Sequence, residues 1–290
     1  MIFGWCKPEY VYAPRQALRR LSHVLVSGPS APFFETRLPW GMPIRARSGE
    51  AHGKALRELG VVDLAVTEVL WRLTDAGEVV ADVGANIGCM TAVLASRVGP
   101  SGTVWAFEAH PAVFEELCGN AARWTTPIHA ENVAVWRTAG TVSLETPPGF
   151  ETNRGLARIS AGANDALQVP ARMLDDYFPG GALSVLKLDV EGHELAVLEG
   201  AARLLAAGRL RDCVFEEHRE PPTPVTEHLR NRGYEIFRIA RAFRGVRLLP
   251  LDSREPRSSW EPTSFLATRE AGRARKRLAP RGWQCLGGRP

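Results

Sequence analysis

Four residues at alternate positions, Asp82, Gly84, Asn86 and Gly88, begin inside the largely apolar run Val79–Val83 and continue beyond it. A second apolar run, Thr103–Phe107, begins 20 residues after Val83 and ends in the carboxylate of Glu108. A glycine-punctuated turn after a strand lets a ligand approach the backbone, and the N–H groups of the helix beyond it face that ligand. An acid at the tip of the next strand can accept both hydroxyls of a ribose. The two features together point to a bound nucleoside. A dinucleotide turn needs Gly-x-Gly-x-x-Gly; here the third glycine is missing and an acid precedes the first. A carboxylate at Asp82 repels a pyrophosphate but suits a cationic amino-acid moiety, which predicts S-adenosylmethionine with its ammonium and sulfonium. The plain alternative is a tight strand-to-helix turn that holds nothing.

Two further groups can do chemistry. Val185, Lys187 and Asp189 alternate onto one face of a strand expected to be central, so Lys187 needs a partner and Asp189 is the nearest. Asp189 ends that strand, on the edge where ligands of open α/β sheets bind. Glu191 and Glu194 follow at the start of a helix, where acids complement the dipole. His193-Glu194 resembles the opening of a zinc motif, but residue 197 is valine, which excludes it. Glu216-Glu217-His218 closes the next strand, and a carboxylate beside a histidine can accept a proton or hold a divalent ion. Asn132 ends another β-type run; its amide either complements an adenine edge or caps the strand. Asn153-Arg154-Gly155 supplies an amide and a guanidinium suited to orienting an oxygen-rich substrate.

These residues need a scaffold, and the pattern around them alternates. Strands are expected at Val79–Val83, Thr103–Phe107, His129–Val135, Val185–Val190 and Cys213–Glu216, with helices at Cys89–Val98, Pro111–Arg123 and His193–Ala207 between them. Such βα units build a doubly wound parallel sheet with right-handed crossovers. A helical pattern over Gly60–Thr74 leads into the first strand. After a helix at Val225–Gly233, the runs Glu235–Ala240, Val246–Leu251 and Ser264–Thr268 predict an antiparallel edge. The expected fold is α/β: a mostly parallel seven-stranded sheet of the Rossmann-like type, over residues 61–268. Residues 1–60 read as an irregular extension broken by prolines, helical only from Arg15 to Val26. Residues 136–181, non-periodic apart from a hairpin near Thr141–Glu145, predict the acceptor wall of the pocket.

Val80–Gly88, Phe107-Glu-Ala-His-Pro111, Ala134, Leu186-Lys-Leu-Asp-Val-Glu-Gly-His-Glu194 and Leu198-Glu-Gly-Ala201 resemble the FkbM-type S-adenosylmethionine-dependent methyltransferases. Two departures stand out: Pro111 lies one place later than the family's usual proline, and Cys89-Met90 replaces a common aromatic. The resemblance covers roughly residues 60–220 and implies a class I methyltransferase fold. It also implies that Gly84, Asn86 and Gly88 wrap the amino-acid end of the cofactor, Glu108 the ribose, and Asn132 the adenine border. The implied reaction is O-methylation of a hydroxyl on a small natural product or sugar, with Asp189, Glu191, His193 and His218 as candidate bases. Asp82 and Asp189 join the expected cofactor set, Asn153 and Arg154 the substrate set, and no metal site is assigned.

Composition narrows the class. With 45% hydrophobic and 23% charged residues the chain is an ordinary globular one. No run approaches a membrane span and no basic-then-apolar leader opens it, so neither a membrane nor a secretory destination is expected. Five scattered cysteines without a C-x-x-C pair fit a reducing cytoplasm. The net charge of +4 is uneven: residues 268–290 carry about +6, which leaves the body near −2. That disfavours a nucleic-acid partner and predicts a solvated, mobile tail over 269–290 dispensable for cofactor binding; the small hydroxylated acceptor is what the family resemblance implies. Two rivals remain, a nicotinamide-dependent oxidoreductase and a non-catalytic binding protein on the same fold. The first is disfavoured by the glycine spacing, the second by the intact set Asp82, Gly84, Asn86, Gly88 and Glu108.

Overall fold

The structure, a computed structural model, describes residues 7–25, 31–160, 166–255 and 263–287. Cys6, Val26 and Arg289, on which some of the expectations above rest, lie outside the described residues. The chain opens with two helices, α1 (Pro8–Val11) and α2 (Pro14–Leu25). A hairpin follows, β1 (Phe33–Arg37) antiparallel to β2 (Pro43–Arg47), and then α3 (Ala51–Glu58). Residues 33–58 are therefore ordered, against the irregular extension expected. Their apolar content is small but well used: Leu38, Trp40 and Ile44 enter the main core.

From α4 (Leu64–Leu73) the chain alternates as predicted: β3 (Val79–Val83), α5 (Cys89–Val98), β4 (Thr103–Phe107), α6 (Pro111–Ala121) and β5 (Ile128–Glu131). The expected strand His129–Val135 breaks at Asn132. Its side-chain amide donates to the carbonyls of Glu108 and Ala109 at 2.8 and 3.0 Å, in place of ladder bonds. The next two residues, β6 (Ala134–Val135), join a second sheet with β7 (Gly140–Glu145), β8 (Arg158–Ile159) and β9 (Leu167–Arg172), in the order β6-β9-β7-β8. So the 136–181 section is largely a sheet of its own.

After α7 (Leu174–Tyr177) come β10 (Leu183–Leu188), α8 (Glu194–Glu199), α9 (Ala202–Ala206), β11 (Leu210–Glu216) and α10 (Pro224–Arg230). The edge is built by β12 (Glu235–Ala242), β13 (Gly245–Pro250) and β14 (Ser264–Thr268). The main sheet runs β13-β12-β14-β11-β10-β3-β4-β5. Its five strands from β11 to β5 are parallel, and the other three are antiparallel. The α/β, doubly wound, Rossmann-like class holds. The sheet has eight strands where a seven-stranded one was expected, and each of the eight β-type runs read in the sequence contributes one of them, Val246–Leu251 as β13. Strand order reverses between β3 and β10, and crevices for ligands open at such switch points.

Alternation along the central strands sends Val80, Val104, Val185 and Val214 to one face, against α4 and α5. Ala81, Phe107, Leu186 and Phe215 go to the other, against α8, α9 and α10. The basic C-terminal segment is folded onto the domain over residues 271–287, against the solvated tail expected. It forms α11 (Ala271–Leu278) and buries Leu278, Trp283, Cys285 and Leu286 in the α4 face of the core. Within the buried helix α4, Glu68 and Arg72 pair at 2.5 Å. Glu68 accepts from the backbone N–H of Gln284 and Cys285, while Arg72 donates to the carbonyls of Arg277, Pro280 and Gly282. Arg273 and Arg277 both pair with Asp75. The tail's charge is spent inside the fold, which removes the physical basis for a detached terminus. No helix among the described residues is long and apolar enough to cross a membrane.

Candidate active site

A cavity of about 440 Å³ opens at the carboxyl ends of β3, β4, β10 and β11, walled by the insertion sheet and by the start of α3. The volume lies in the range of small-molecule pockets. Three non-glycine residues among those described have left-handed backbones, Asp63 (φ 36°), Asn86 (φ 50°) and Glu191 (φ 51°). All three line this cavity. Residues held in sparsely populated conformations cluster at functional sites, and here three elements converge in that way.

The turn after β3 is set by contact with the loop after β10. Gly84 has φ 77°, and a Cβ there would lie 1.8 Å from the Asp189 carbonyl oxygen, so only glycine lets the two loops meet. Lys187 fastens them. Its ammonium lies 3.3 Å from Asp189, 3.6 Å from Asp82 and 3.1 Å from the Gly84 carbonyl. Burial pulls the Lys187 ammonium down, but Asp189 and Asp82 outweigh it and hold it above its ordinary value. Asp82 is 0% exposed and accepts from Thr91 Oγ1 at 2.6 Å. Its carboxylate therefore stands behind the turn and does not line the cavity.

Glu108 sits where the spacing placed it. One carboxylate oxygen accepts from Asn86 N–H and the other from His110 N–H, each at 2.9 Å. A carboxylate offers about four lone-pair positions, so about two remain for a ligand. Burial pushes the Glu108 carboxyl up to about 7, against the pull of those two N–H groups. Asn132 supports this loop from behind through its bonds to the Glu108 and Ala109 carbonyls and does not line the cavity. The amide is engaged there, so the adenine contact expected of it has no free donor. Gly88 caps α5 and likewise lies off the cavity surface.

The opposite wall is acidic. Asp189, Glu191, Glu216 and His218 all line the cavity. His218 Nε2 lies 3.1 Å from Glu216 and 3.9 Å from Glu191. Burial, and then the neighbouring Asp189 and Glu191 carboxylates, push the Glu216 carboxyl up to about 8. The Glu191 carboxyl is also raised, first by burial and then by Asp189. Glu194 faces inward instead and closes the loop by accepting from Val190 and Gly192 N–H. His193 lines the cavity, but its Nε2 is 2.8 Å from the Ile159 carbonyl, which occupies that nitrogen. Among the described residues, no three His, Cys, Asp or Glu side chains converge as ligands of one metal ion.

Asn153 lines the cavity, with Oδ1 accepting from Gly155 N–H at 3.2 Å. Arg154 does not: it is buried, pairs with Glu116 at 2.8 Å and lies over the Phe150 ring. Glu116, on α6, takes the guanidinium that was expected to meet substrate. Two cavity residues were not expected at all, Asp63 and His52. Asp63 carries a sequence signal, an Asp directly before an apolar helical run, and it accepts from Ala65 and Val66 N–H as the cap of α4. His52 carries none.

The chain is 28% identical over 143 residues to the hexuronic acid methyltransferase AglP of Haloferax volcanii. That match covers 48% of this chain and 56% of the relative, so the chain spans little more than half the relative's length. Among solved structures it is similar to Aeropyrum pernix fibrillarin with bound S-adenosylmethionine, at 13% identity and TM-score 0.43, covering 82% of this chain and 94% of the other. An S-adenosylmethionine-dependent O-methyltransferase of Thermotoga maritima matches at 14% identity and TM-score 0.40, covering 86% and 81%. The model of the methyltransferase FkbM domain matches residues 82–236, more than half of the chain and the stretch that carries Glu108, Asp189 and Glu216, and the chain belongs to that family.

Proposed function

We propose that the protein transfers the methyl group of S-adenosylmethionine to a hydroxyl of a small, oxygen-rich acceptor such as a sugar. The observation that carries this reading is Glu108. It ends β4 beside the glycine turn, each oxygen is held by one backbone N–H, and its remaining lone pairs are left for a ribose diol. Gly84 and Asn86 border the amino-acid end, and Asp189 and Glu191 offer negative charge to an ammonium and a sulfonium. When bound, the cofactor supplies an electrophilic methyl carbon. The chain's own residues align the acceptor, exclude water and remove its proton.

Of the four candidate bases, His218 is the one that the geometry favours. Asp189 is engaged with Lys187, His193 with the Ile159 carbonyl, and Glu191 lies in a strained turn. His218 faces the cavity with Glu216 behind one nitrogen, an arrangement that orients the ring and stabilises it once protonated. Such a base contributes roughly 10²–10⁴-fold. The acidic wall supports a neutral hydroxyl over a carboxylate acceptor. The relative's name favours a second reading, a hexuronic acid. Transfer of labelled methyl from S-adenosylmethionine to neutral sugars and to uronic acids separates the two. An alkali-stable methyl ether on a neutral acceptor supports the hydroxyl reading, and an alkali-labile ester on a uronic acid overturns it.

A further inference from the structure

Glu50 is 1% exposed, yet neither carboxylate oxygen has a hydrogen-bond partner among the described residues. It occupies the cap position of α3 without capping it: no α3 N–H reaches its side chain, and Ala51 N–H bonds to the Thr152 carbonyl instead. A buried carboxylate without a partner is expensive and is retained only where something compensates it. Its one ion-pair contact is His52 Nδ1, at 3.6 Å, which is also buried without a hydrogen-bond partner. The His52 side chain is 24% exposed and lines the same cavity as Asn86, Cys89 and Asp63. With Nδ1 turned to Glu50, the Nε2 edge is the part of the ring that meets the cavity.

The pair is held rigidly against the glycine turn. Asn120, buried, accepts from Arg45 N–H and donates to the carbonyls of Arg45 and Ile87, so one amide joins β2 to the turn after β3. Gly53 lets α3 lie on β2, since a Cβ there would fall 1.7 Å from the Arg47 carbonyl oxygen. His52 is thus placed beside the N-terminus of α5, whose cap is Gly88 and whose first turn carries no acid. That helix end favours an anion.

We propose that His52, held by Glu50, binds the carboxylate of the amino-acid end of S-adenosylmethionine, an inference that rests on the cofactor reading above. With Nδ1 toward the Glu50 carboxylate, the ring can present Nε2–H to the cavity as a donor. Beside the N-terminus of α5, an anion suits that donor as partner. The far wall, with Asp189 and Glu191, repels a carboxylate and attracts the ammonium and sulfonium, which orients the ligand along the cavity. Glu50 never touches the ligand and acts as the positioning residue.

Calorimetry with S-adenosylmethionine and its decarboxylated analogue, which differ only in that carboxylate, tests this. The wild-type protein should prefer S-adenosylmethionine by about tenfold or more, the scale of one charge-assisted hydrogen bond. In His52→Ala and in Glu50→Gln the preference should collapse, because S-adenosylmethionine weakens while the analogue keeps its affinity, which also shows that each variant is folded. A preference that survives both substitutions, or an equal loss for both ligands, overturns the assignment of His52. A wild-type protein that binds neither ligand overturns the cofactor reading itself.

Discussion

Replacing Lys187 with methionine keeps the chain's length and apolar stem but removes the one cation between Asp82 and Asp189. The two carboxylates then fare differently. Asp189 is 37% exposed at its side chain and can be rehydrated, whereas Asp82 is 0% exposed and keeps only the Thr91 hydroxyl. Removing one partner of a buried pair costs roughly 3–5 kcal/mol. With one of the two acids able to reach water, the lower end applies, about 3 kcal/mol, or roughly 5 °C in Tm for a domain of this size. Urea unfolding followed by two probes measures it. The diagnostic is the double variant Lys187→Met with Asp82→Asn. Since the cost comes from a stranded charge, neutralising that charge should recover about 1 kcal/mol or more of the single variant's loss. The reasoning fails if Lys187→Met unfolds within 1 kcal/mol of wild type, or if the second substitution adds its full cost to the first.

Other expectations follow from the same coordinates. Glu108, whose carboxyl is pushed up to about 7 by burial, keeps its proton when folded and releases it when unfolded, so stability falls as pH rises from its ordinary value toward 7. Cofactor binding needs the ionised form, so affinity should rise between about pH 6 and 8, and Glu108→Gln should flatten that profile. Glu216, pushed up to about 8, predicts a kcat that climbs through that pH and a climb that Glu216→Gln abolishes; an unchanged limb would remove Glu216 from the proton path. Arg154→Ala should lower stability by about 1–3 kcal/mol, because Glu116 loses a buried partner, and should leave the acceptor KM unchanged. Deleting residues 271–290 should unfold the domain rather than trim it, because Glu68 loses two N–H donors and the core loses Leu278, Trp283 and Leu286; a folded, soluble truncation would contradict that.

What was legible in the sequence was mostly local. The runs Val79–Val83 and Thr103–Phe107 announce two strands, and Glu108 an acid at the tip of the second, from composition and spacing alone. The Lys187–Asp189 pair was readable from alternation; its second partner was not, because Asp82 comes from the neighbouring parallel strand, where it stands in register with Lys187. Arg154 was misjudged for a similar reason: Glu116 is 38 positions upstream, on a helix. Asn132 and Asp82 have the residue types a ligand would want, but the fold uses them as supports, and type does not separate the two uses. The tail misled through its charge, which reads as solvation until Arg273 is seen to pair with Asp75 and Asp212, Arg277 with Asp75, and Arg275 with Glu235. His52 becomes visible only once the hairpin lays α3 over the glycine turn.

The most direct test of the nucleoside reading is titration of S-adenosylhomocysteine, and separately NADH, into the wild-type protein and Glu108→Ala. The expected result is saturable binding of S-adenosylhomocysteine, weakened in the variant by about 1.5–3 kcal/mol, the worth of a charge-assisted contact to the ribose, with no binding of NADH. Binding of NADH without S-adenosylhomocysteine, or an affinity for S-adenosylhomocysteine that Glu108→Ala leaves unchanged, would contradict it.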